Sequence, residues 1–536
     1  MLNKKIRCLF LLTAALVGCD SDKNDASQTG SSTGTNSGGS NPHQTIVIGG
    51  LSNTLPEHLQ IAADSGYNLY LPISINSVAK QKLTFTSNDT IHIIALFNKD
   101  KYVSDEQRKK AQQIIERKIQ RAAKIMQHYL TNLPQSTYGS DKSSIAQLMA
   151  SRQATLMLTA NDAENDQMLT KLFVAEADRQ GKLQYWVEAS TQANSNELDA
   201  SSSANFITSS TAFKTKYPNQ YQNIVDEVLQ GVLKSSETQN WLLHSQSLMF
   251  RELTVEGDCH YMSNFANYCE DLGEHADRDA AFEEILHLTQ AQGIAPNPIY
   301  KTFQERIQQR AFALYKRHES GKFAVWQPET SSWNDWLTDD VDPEIGPSYS
   351  HEYLAAAFEA YMGMWEHRSD GLDSYQALTR QQMQNDDSDA LSWIENMFHG
   401  FLQYTADIDS NGVKKYYDNQ STLVGTPTFS MSKIDNSPAE DYTFKSRWLL
   451  NVQIVGDETI NLIANDQNNK IQGNKKNNKV DGKGGIDTYI VLDEFSHCSI
   501  VHQKYDVLVN CPTTGVDELI NFENIQFQDR LVSIVN

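Results

Sequence analysis

The sequence predicts a multidomain α+β chain: a small β-containing start, a mostly helical central domain and a C-terminal parallel β-roll-like domain. Three observations predict it. Residues 44–100 carry short apolar runs divided by polar turns. From Ser104 onward the apolar residues fall at helical spacing, as far as about residue 450. After that point the spacing becomes nine residues.

The N-terminus comes first. Lys4, Lys5 and Arg7 precede Leu9–Val17, an apolar run too short to span a bilayer. The run ends in Leu16-Val17-Gly18-Cys19, which resembles the lipobox of bacterial lipoproteins. That resemblance implies a signal peptide over 1–18 and lipid on Cys19. Asp20 to Asn41 is built from Ser, Gly, Asn, Asp and Thr, so 19–43 reads as the lipidated Cys and a flexible tether. Asp20 resembles an inner-membrane retention signal. The expected location is the cell envelope, on either membrane, facing periplasm or surface.

Composition sets further bounds. Lys and Arg number 45 against 67 Asp and Glu, a net charge of −22, and no basic patch stands out. Nucleic acid is therefore not an expected partner. No later segment is apolar for long enough to span a bilayer, so lipid on Cys19 is the expected membrane attachment. Beyond Cys8 and Cys19, four cysteines form two local couples, Cys259 with Cys269 and Cys498 with Cys511. In an oxidising compartment both couples are expected as disulfides.

Within 44–100, Thr45–Ile48, Leu69–Ile73, Lys82–Phe85 and Ile91–Leu96 read as strands. Ser104-Asp-Glu-Gln107 is a capping-box pattern and opens a helix striped by Ile114, Ile115, Ile119, Ala122, Ile125 and Met126. Further helices are expected over 141–151, 221–234, 279–292, 299–317, 351–365 and 389–404. The Ser/Asn/Thr-rich stretch 190–211 reads as a loop. The helical domain is placed at 101–450.

In the last stretch, 451–536, Leu462, Ile471, Val480 and Tyr489 stand nine apart. Two residues before each come Ile460, Asn469, Asn478 and Asp487, and Gly473 and Gly482 keep the same period. This resembles the calcium-binding nonapeptide repeats of RTX (hemolysin-type) proteins, which wind a parallel β-roll. Asp517 to Phe527 resembles the segment that closes such rolls. The resemblance implies Ca²⁺ in the turns, but Asp487 alone keeps the acid, so the expectation is a degenerate roll with calcium weak or absent.

The chemistry-bearing helix is Asp277-Arg-Asp-Ala-Ala-Phe-Glu283-Glu284-Ile-Leu-His287. Glu283 and His287, four apart, share one face, and Glu284 flanks them. The pattern resembles the His-Glu-x-x-His helix of zinc metallopeptidases with Glu283 in place of the first His. Tyr349-Ser-His-Glu352-Tyr-Leu-Ala-Ala-Ala-Phe-Glu359 resembles the third-ligand helix of gluzincins of the anthrax lethal factor type. The resemblance implies one divalent metal, zinc, on Glu283, His287 and Glu352, with Glu284 activating water and Tyr349 assisting at an oxyanion. Ala356 replaces an outer-shell Glu of the relatives, and Ala355–Ala357 permit close helix approach.

The same residues allow plainer readings. Glu283 and Glu284 also suit a solvated face, and His287 a packed core histidine. Glu284–His287 is a Glu-x-x-His pair of the di-metal bundle kind, which needs a second such helix, and Glu494–His497 is the other match. His260 is either an extra ligand or structural. His275 and His351 are expected in solvent. Trp326, Trp333 and Trp336 suit either a substrate cleft or buried packing. No Gly-x-Ser-x-Gly, phosphate loop or dinucleotide fingerprint is present. The expected function is a membrane-anchored, metal-dependent peptidase acting on protein or peptide. The alternative is a non-catalytic surface lipoprotein that binds or adheres.

Overall fold

The structure is a computed structural model that describes residues 46–75, 89–191, 203–253, 280–338, 347–364, 374–408 and 444–534. The N-terminal segment with Cys19, the Lys82–Phe85 strand, the Cys259–Cys269 couple, His260 and His275 lie outside those residues.

The early strands build a mixed α/β body. β1 (Val47–Ile48), β2 (Leu69–Ser74), β3 (Thr90–Ala95), β4 (Thr155–Thr159) and β5 (Ser245–Met249) form one sheet in that order. The first two pairings are antiparallel and the last two parallel. This corrects the picture of 44–100 as a separate β region, because β4 and β5 come from the stretch read as helical. The reason is physical. A strand buried on both faces shows no alternation, and every residue of β4 is buried.

Helices cover both faces. α1 (Asp105–Leu130) opens with the expected capping box: Ser104 Oγ accepts from the Gln107 N–H at 3.2 Å, and Gln107 Oε1 accepts from the Ser104 N–H at 3.3 Å. Its apolar stripe joins Ile91, Ile93 and Ala95 of β3, together with α2 (Ser143–Ser151), in one core. On the other face Ile94 and Met157 pack with α3 (Asp162–Arg179) and α4 (Tyr221–Leu233). The expected loop at 190–211 instead holds helix where it is described, at Ser203–Thr208 and from Ser210. Buried Ile207 and Phe213 anchor those turns. The expected helix over 389–404 stops early: Ser388–Glu395 is helical, and β6 (Leu402–Ile408) follows. There Leu402, Tyr404, Ala406 and Ile408 are buried at strand period, a pattern that overrides the helical reading. No helix among the described residues is long and apolar enough to cross a membrane.

The C-terminal strands divide between two sheets, and the first five after β6 alternate between them. One runs β12-β13-β14-β10-β8 and the other β16-β15-β11-β9-β7-β6, where β14 is Gly515–Ile520, β15 is Asn524–Gln526 and β16 is Leu531–Ser533. The first five of them after β6 are β7 (Leu449–Ile454), β8 (Asn461–Ile463), β9 (Lys470–Gln472), β10 (Lys479–Asp481) and β11 (Thr488–Ile490). Val480 pairs with Leu462 and Tyr489 with Ile471, eighteen residues apart in each case and parallel. All four side chains are fully buried. The Cys498–Cys511 disulfide is present and joins the ends of β12 (Ser499–His502) and β13 (Val507–Cys511).

Asparagine amides hold the turns. Asn474 Nδ2 donates to the carbonyls of Gly456 at 3.2 Å and Glu458 at 2.8 Å. Asn465 Nδ2 repeats this one step earlier, to Arg447 at 3.1 Å and Leu449 at 2.7 Å. Asn478 and Asn469 brace their own turns by donating to Asn474 and Asn465, each at 3.0 Å. Asp487 breaks the series. Its Oδ1 accepts from the Asn469 N–H at 2.7 Å, while Oδ2 is buried without a hydrogen-bond partner. Burial, then the charges of Glu523, Asp481 and Asp466, push its pKa up to about 7.

A carboxyl raised in this way favours folding while it is protonated. Its contribution is complete below the ordinary value of 3.8 and is lost as pH rises through about 7. Asp487→Asn should therefore raise Tm at pH 8 in chelator, by roughly 2–4 °C for each ~1 kcal/mol relieved, and leave Tm unchanged at pH 4. Thermal melts at the two pH values check this, and a lower Tm for the variant at pH 8 would contradict it.

Candidate metal centre

α5 (Ala281–Thr289) lies against β5 and α1, with Ala281, Phe282, Ile285 and Leu286 fully buried. The Tyr129 hydroxyl of α1 donates to the Phe282 carbonyl at 2.7 Å and fixes the helix along its axis. α7 (Ser348–Tyr361) packs on α5, where Phe282 and Phe358 stack at 6.1 Å. Ala355, Ala356 and Ala357 are all buried on α7, and side chains this small let helices approach closely.

This packing brings the expected ligands together. One ligand atom each of Glu283, His287 and Glu352 lies within 4.8 Å of the other two. No other such group of three His, Cys, Asp or Glu occurs among the described residues. The two helices are buried almost all round. On α5 the partly exposed residues are Glu283 and Glu284, and on α7 they are Tyr349 and Glu352. The solvent-facing side chains of both helices are thus the ones expected to act.

His287 is 3% exposed. Its Nδ1 lies 3.6 Å from Glu284 Oε2, and its Nε2 is buried with no hydrogen-bond partner. A buried imidazole nitrogen left without a partner costs about 1–3 kcal/mol. A cation among three carboxylate-rich neighbours removes that cost, so the donor set fits a divalent metal. Burial alone would lower the His287 pKa, but the charges of Glu352, Glu284 and Glu359 and the contact to Glu284 outweigh it and the pKa is raised.

Several neighbours differ from expectation. His351 is fully buried, not solvated, with its ring 6.3 Å from that of His287. The cause is that α7 is an interior helix, so a position beside Glu352 still faces protein. Glu359, missed in the sequence, is 1% exposed and acts electrostatically on His287. Its signal was present: it stands seven residues after Glu352, on the same stripe, and offers from a later turn the charge that Ala356 lacks. Glu284 accepts from Gln246 Nε2 of β5 at 2.6 Å. Tyr349 packs its ring on Trp333 at 4.8 Å and Phe312 at 6.4 Å, and burial raises its pKa. Trp326 and Trp333 are buried, with Tyr315 stacked on Trp333 at 3.6 Å, so this cluster is packing. His497 pairs with Asp493 at 2.8 Å, far along the chain from α5.

A buried amide chain aligns the helices. Gln290, just past α5, donates to Gln304 Oε1 at 2.9 Å, and Gln304 donates to Ser350 Oγ at 3.0 Å. Gln304 belongs to α6 (Lys301–Glu319), and Ser350 to the first turn of α7. Further along, the Tyr353 hydroxyl donates to Asp387 Oδ2 at 2.7 Å, while Arg310 of α6 donates to Asp387 Oδ1 at 3.1 Å.

No family model matches the chain, and no curated protein matches it. Among solved structures, an extracellular lipase, LipA from Serratia marcescens, aligns with a TM-score of 0.11 at 14% identity. The alignment covers 14% of this chain and 14% of the lipase.

The raised His287 pKa gives the metal-free protein a pH signature. The imidazolium's contribution is complete below the ordinary value of 6.5 and is lost as pH rises through the higher folded value. In chelator, Tm should therefore fall as pH climbs from 6 to 9, and His287→Gln should flatten that slope. Parallel melting curves for the two proteins would count against the arrangement.

Proposed function

We propose that this chain is an exported lipoprotein, held to a membrane by lipid on Cys19, whose Glu283, His287 and Glu352 hold one divalent metal for peptide hydrolysis. The convergence of those three side chains carries the reading. The fold around them is read as gluzincin-like, and the alternating C-terminal strands as an RTX-type roll. When bound, the metal supplies Lewis acidity for a carbonyl and lowers the pKa of water.

The residues divide the remaining work. Glu284 takes a proton from the attacking water and returns it to the leaving amine. Gln246, donating to Oε2, orients the Glu284 carboxylate for that role. Tyr349, at the rim beside Glu352, donates to the developing oxyanion, and its raised pKa keeps its proton in place. A Glu/His/Glu set carries one more negative charge than His/His/Glu. It acidifies water less and accepts harder cations, so manganese competes with zinc. In the roll, Asn amides take the carbonyl contacts and Asp487 is left as the position for calcium.

One observation favours a second reading. The Gln246 bond ties Glu284 to the sheet, which suits a structural acid in a binding or adhesion module.

Elemental analysis of the purified full-length chain separates the readings. The metallopeptidase reading expects a divalent ion that His287→Ala and Glu352→Ala each lose. Glu284→Gln should keep that ion while cleavage of a peptide library drops at least ~100-fold. Metal without cleavage favours the binding module. No ion lost on either ligand substitution sinks the metal reading.

A further inference from the structure

A second pair of ligating side chains lies on the opposite face of the central sheet. His92 is fully buried on β3, the middle strand, and His58 stands half-exposed on the turn Glu57–Leu59. Their Nε2 atoms are 3.4 Å apart and their ring centres 4.9 Å apart. Neighbouring residues of a strand point to opposite faces, and paired residues share one. His92 pairs with Thr155, which pairs with Ser245, while the next register row holds Ile93, Leu156 and Gln246. Gln246 reaches α5, so His92 points away from the Glu283–His287–Glu352 centre.

The geometry of the pair is specific. Two imidazoles on one tetrahedral ion, at about 2.0–2.1 Å each, have nitrogens about 3.3–3.4 Å apart and ring centres about 5 Å apart. A direct N–H···N bond is shorter, about 3.0 Å, and at the observed nitrogen separation in line it would set the centres nearer about 5.7 Å. Both observed distances match the converging arrangement. The second ring nitrogen of His92 is also committed. Tyr70 Oη lies 3.1 Å from His92 Nδ1. With Nδ1–H donating to that hydroxyl, Nε2 keeps its lone pair, which is how ligating histidines are oriented. The turn carrying His58 is firm: Leu59 is fully buried, and its N–H donates to the Pro56 carbonyl at 2.9 Å.

We infer that His58 and His92 form a second metal site, taking a borderline transition-metal ion such as Zn²⁺, Ni²⁺ or Cu²⁺ on their Nε2 atoms. Imidazole ligands with no carboxylate select these ions over Mg²⁺ or Ca²⁺. Half-exposed His58 leaves the remaining coordination positions to water or to a small ligand from solvent. The site stands independently of the first centre.

The test uses the full chain, purified without a polyhistidine tag and carrying His287→Ala to disable the first centre. Calorimetric titration with NiCl₂ or ZnSO₄ should still show one ion bound, and His58→Ala should weaken that binding at least 10-fold. Tyr70→Phe, which keeps both ligands, should weaken it by a smaller factor. With Cu²⁺, the electron paramagnetic resonance spectrum should carry nitrogen hyperfine structure from two imidazoles, reduced to one by His58→Ala. His58 is half-exposed, so its substitution leaves a folded protein for comparison, which melts without metal verify. Equal affinity with and without His58, or no binding in the His287→Ala chain, would overturn the site.

Discussion

Burying an imidazole among carboxylates requires their charges to be balanced at short range, and α5, α6 and α7 are arranged around that constraint. His287 is enclosed by α5 and α7, with Glu284, Glu352 and Glu359 acting on it. Mutual repulsion would push those acids apart if the helices were free to slide. They are not free. The Gln290–Gln304–Ser350 chain ties the end of α5 to the start of α7, and Asp387 anchors Tyr353 and Arg310 behind them. All of these bonds except the part-buried Arg310 contact are buried, so breaking one of them leaves an unsatisfied polar group in the core. The supports of the site are therefore costly to release.

The C-terminal strands meet a related difficulty with different chemistry. Tight turns stacked on one another bring carbonyl oxygens together, and something must satisfy them. A side-chain amide does this without charge. The Nδ2 groups of Asn465 and Asn474 each reach two carbonyls of the preceding coil, at matching positions. Neutral donors remove the need for a compensating ion at those turns. Asp487 keeps the acid and shows the consequence, with one oxygen buried and unpartnered.

Much of this was legible in the residues, and the limits are physical. The capping box at Ser104, the i, i+4 pair Glu283 and His287, the nine-residue period and the Cys498–Cys511 couple are local patterns, and local patterns survive in a linear reading. Glu352 was reachable because it sits on a helix with its own recognisable pattern. β4 was not, since full burial erases the alternation that marks a strand, and β5 was not, since Ser245, Gln246 and Ser247 make a buried strand look polar. Gln246 and Gln304 gave no signal, because a glutamine's partner depends on strand register and helix crossing. His351 was misjudged because exposure was inferred from chain neighbours, whereas α7 is interior. His58 and His92 stand 34 residues apart and meet through the folding of a turn over a strand.

Glu283, a carboxylate close to the His287 imidazole, is accommodated by the same electrostatics. Glu283 and Glu284 occupy the first turn of α5, where the unpaired N–H groups of a helix favour negative charge. A carboxylate there is partly compensated before any ion binds, and the N-terminal turn thus lowers the cost of the extra charge. Glu352 and Glu359 have no such help, because neither falls in the first turn of α7. Both act on His287 and raise its pKa. The centre is therefore asymmetric: the acids of α5 lie at a helix N-terminus, while those of α7 lie further along their helix and face His287. The apolar packing of α7 onto α5, through Phe282, Phe358 and the buried alanines, is what sets Glu352 and Glu359 against His287.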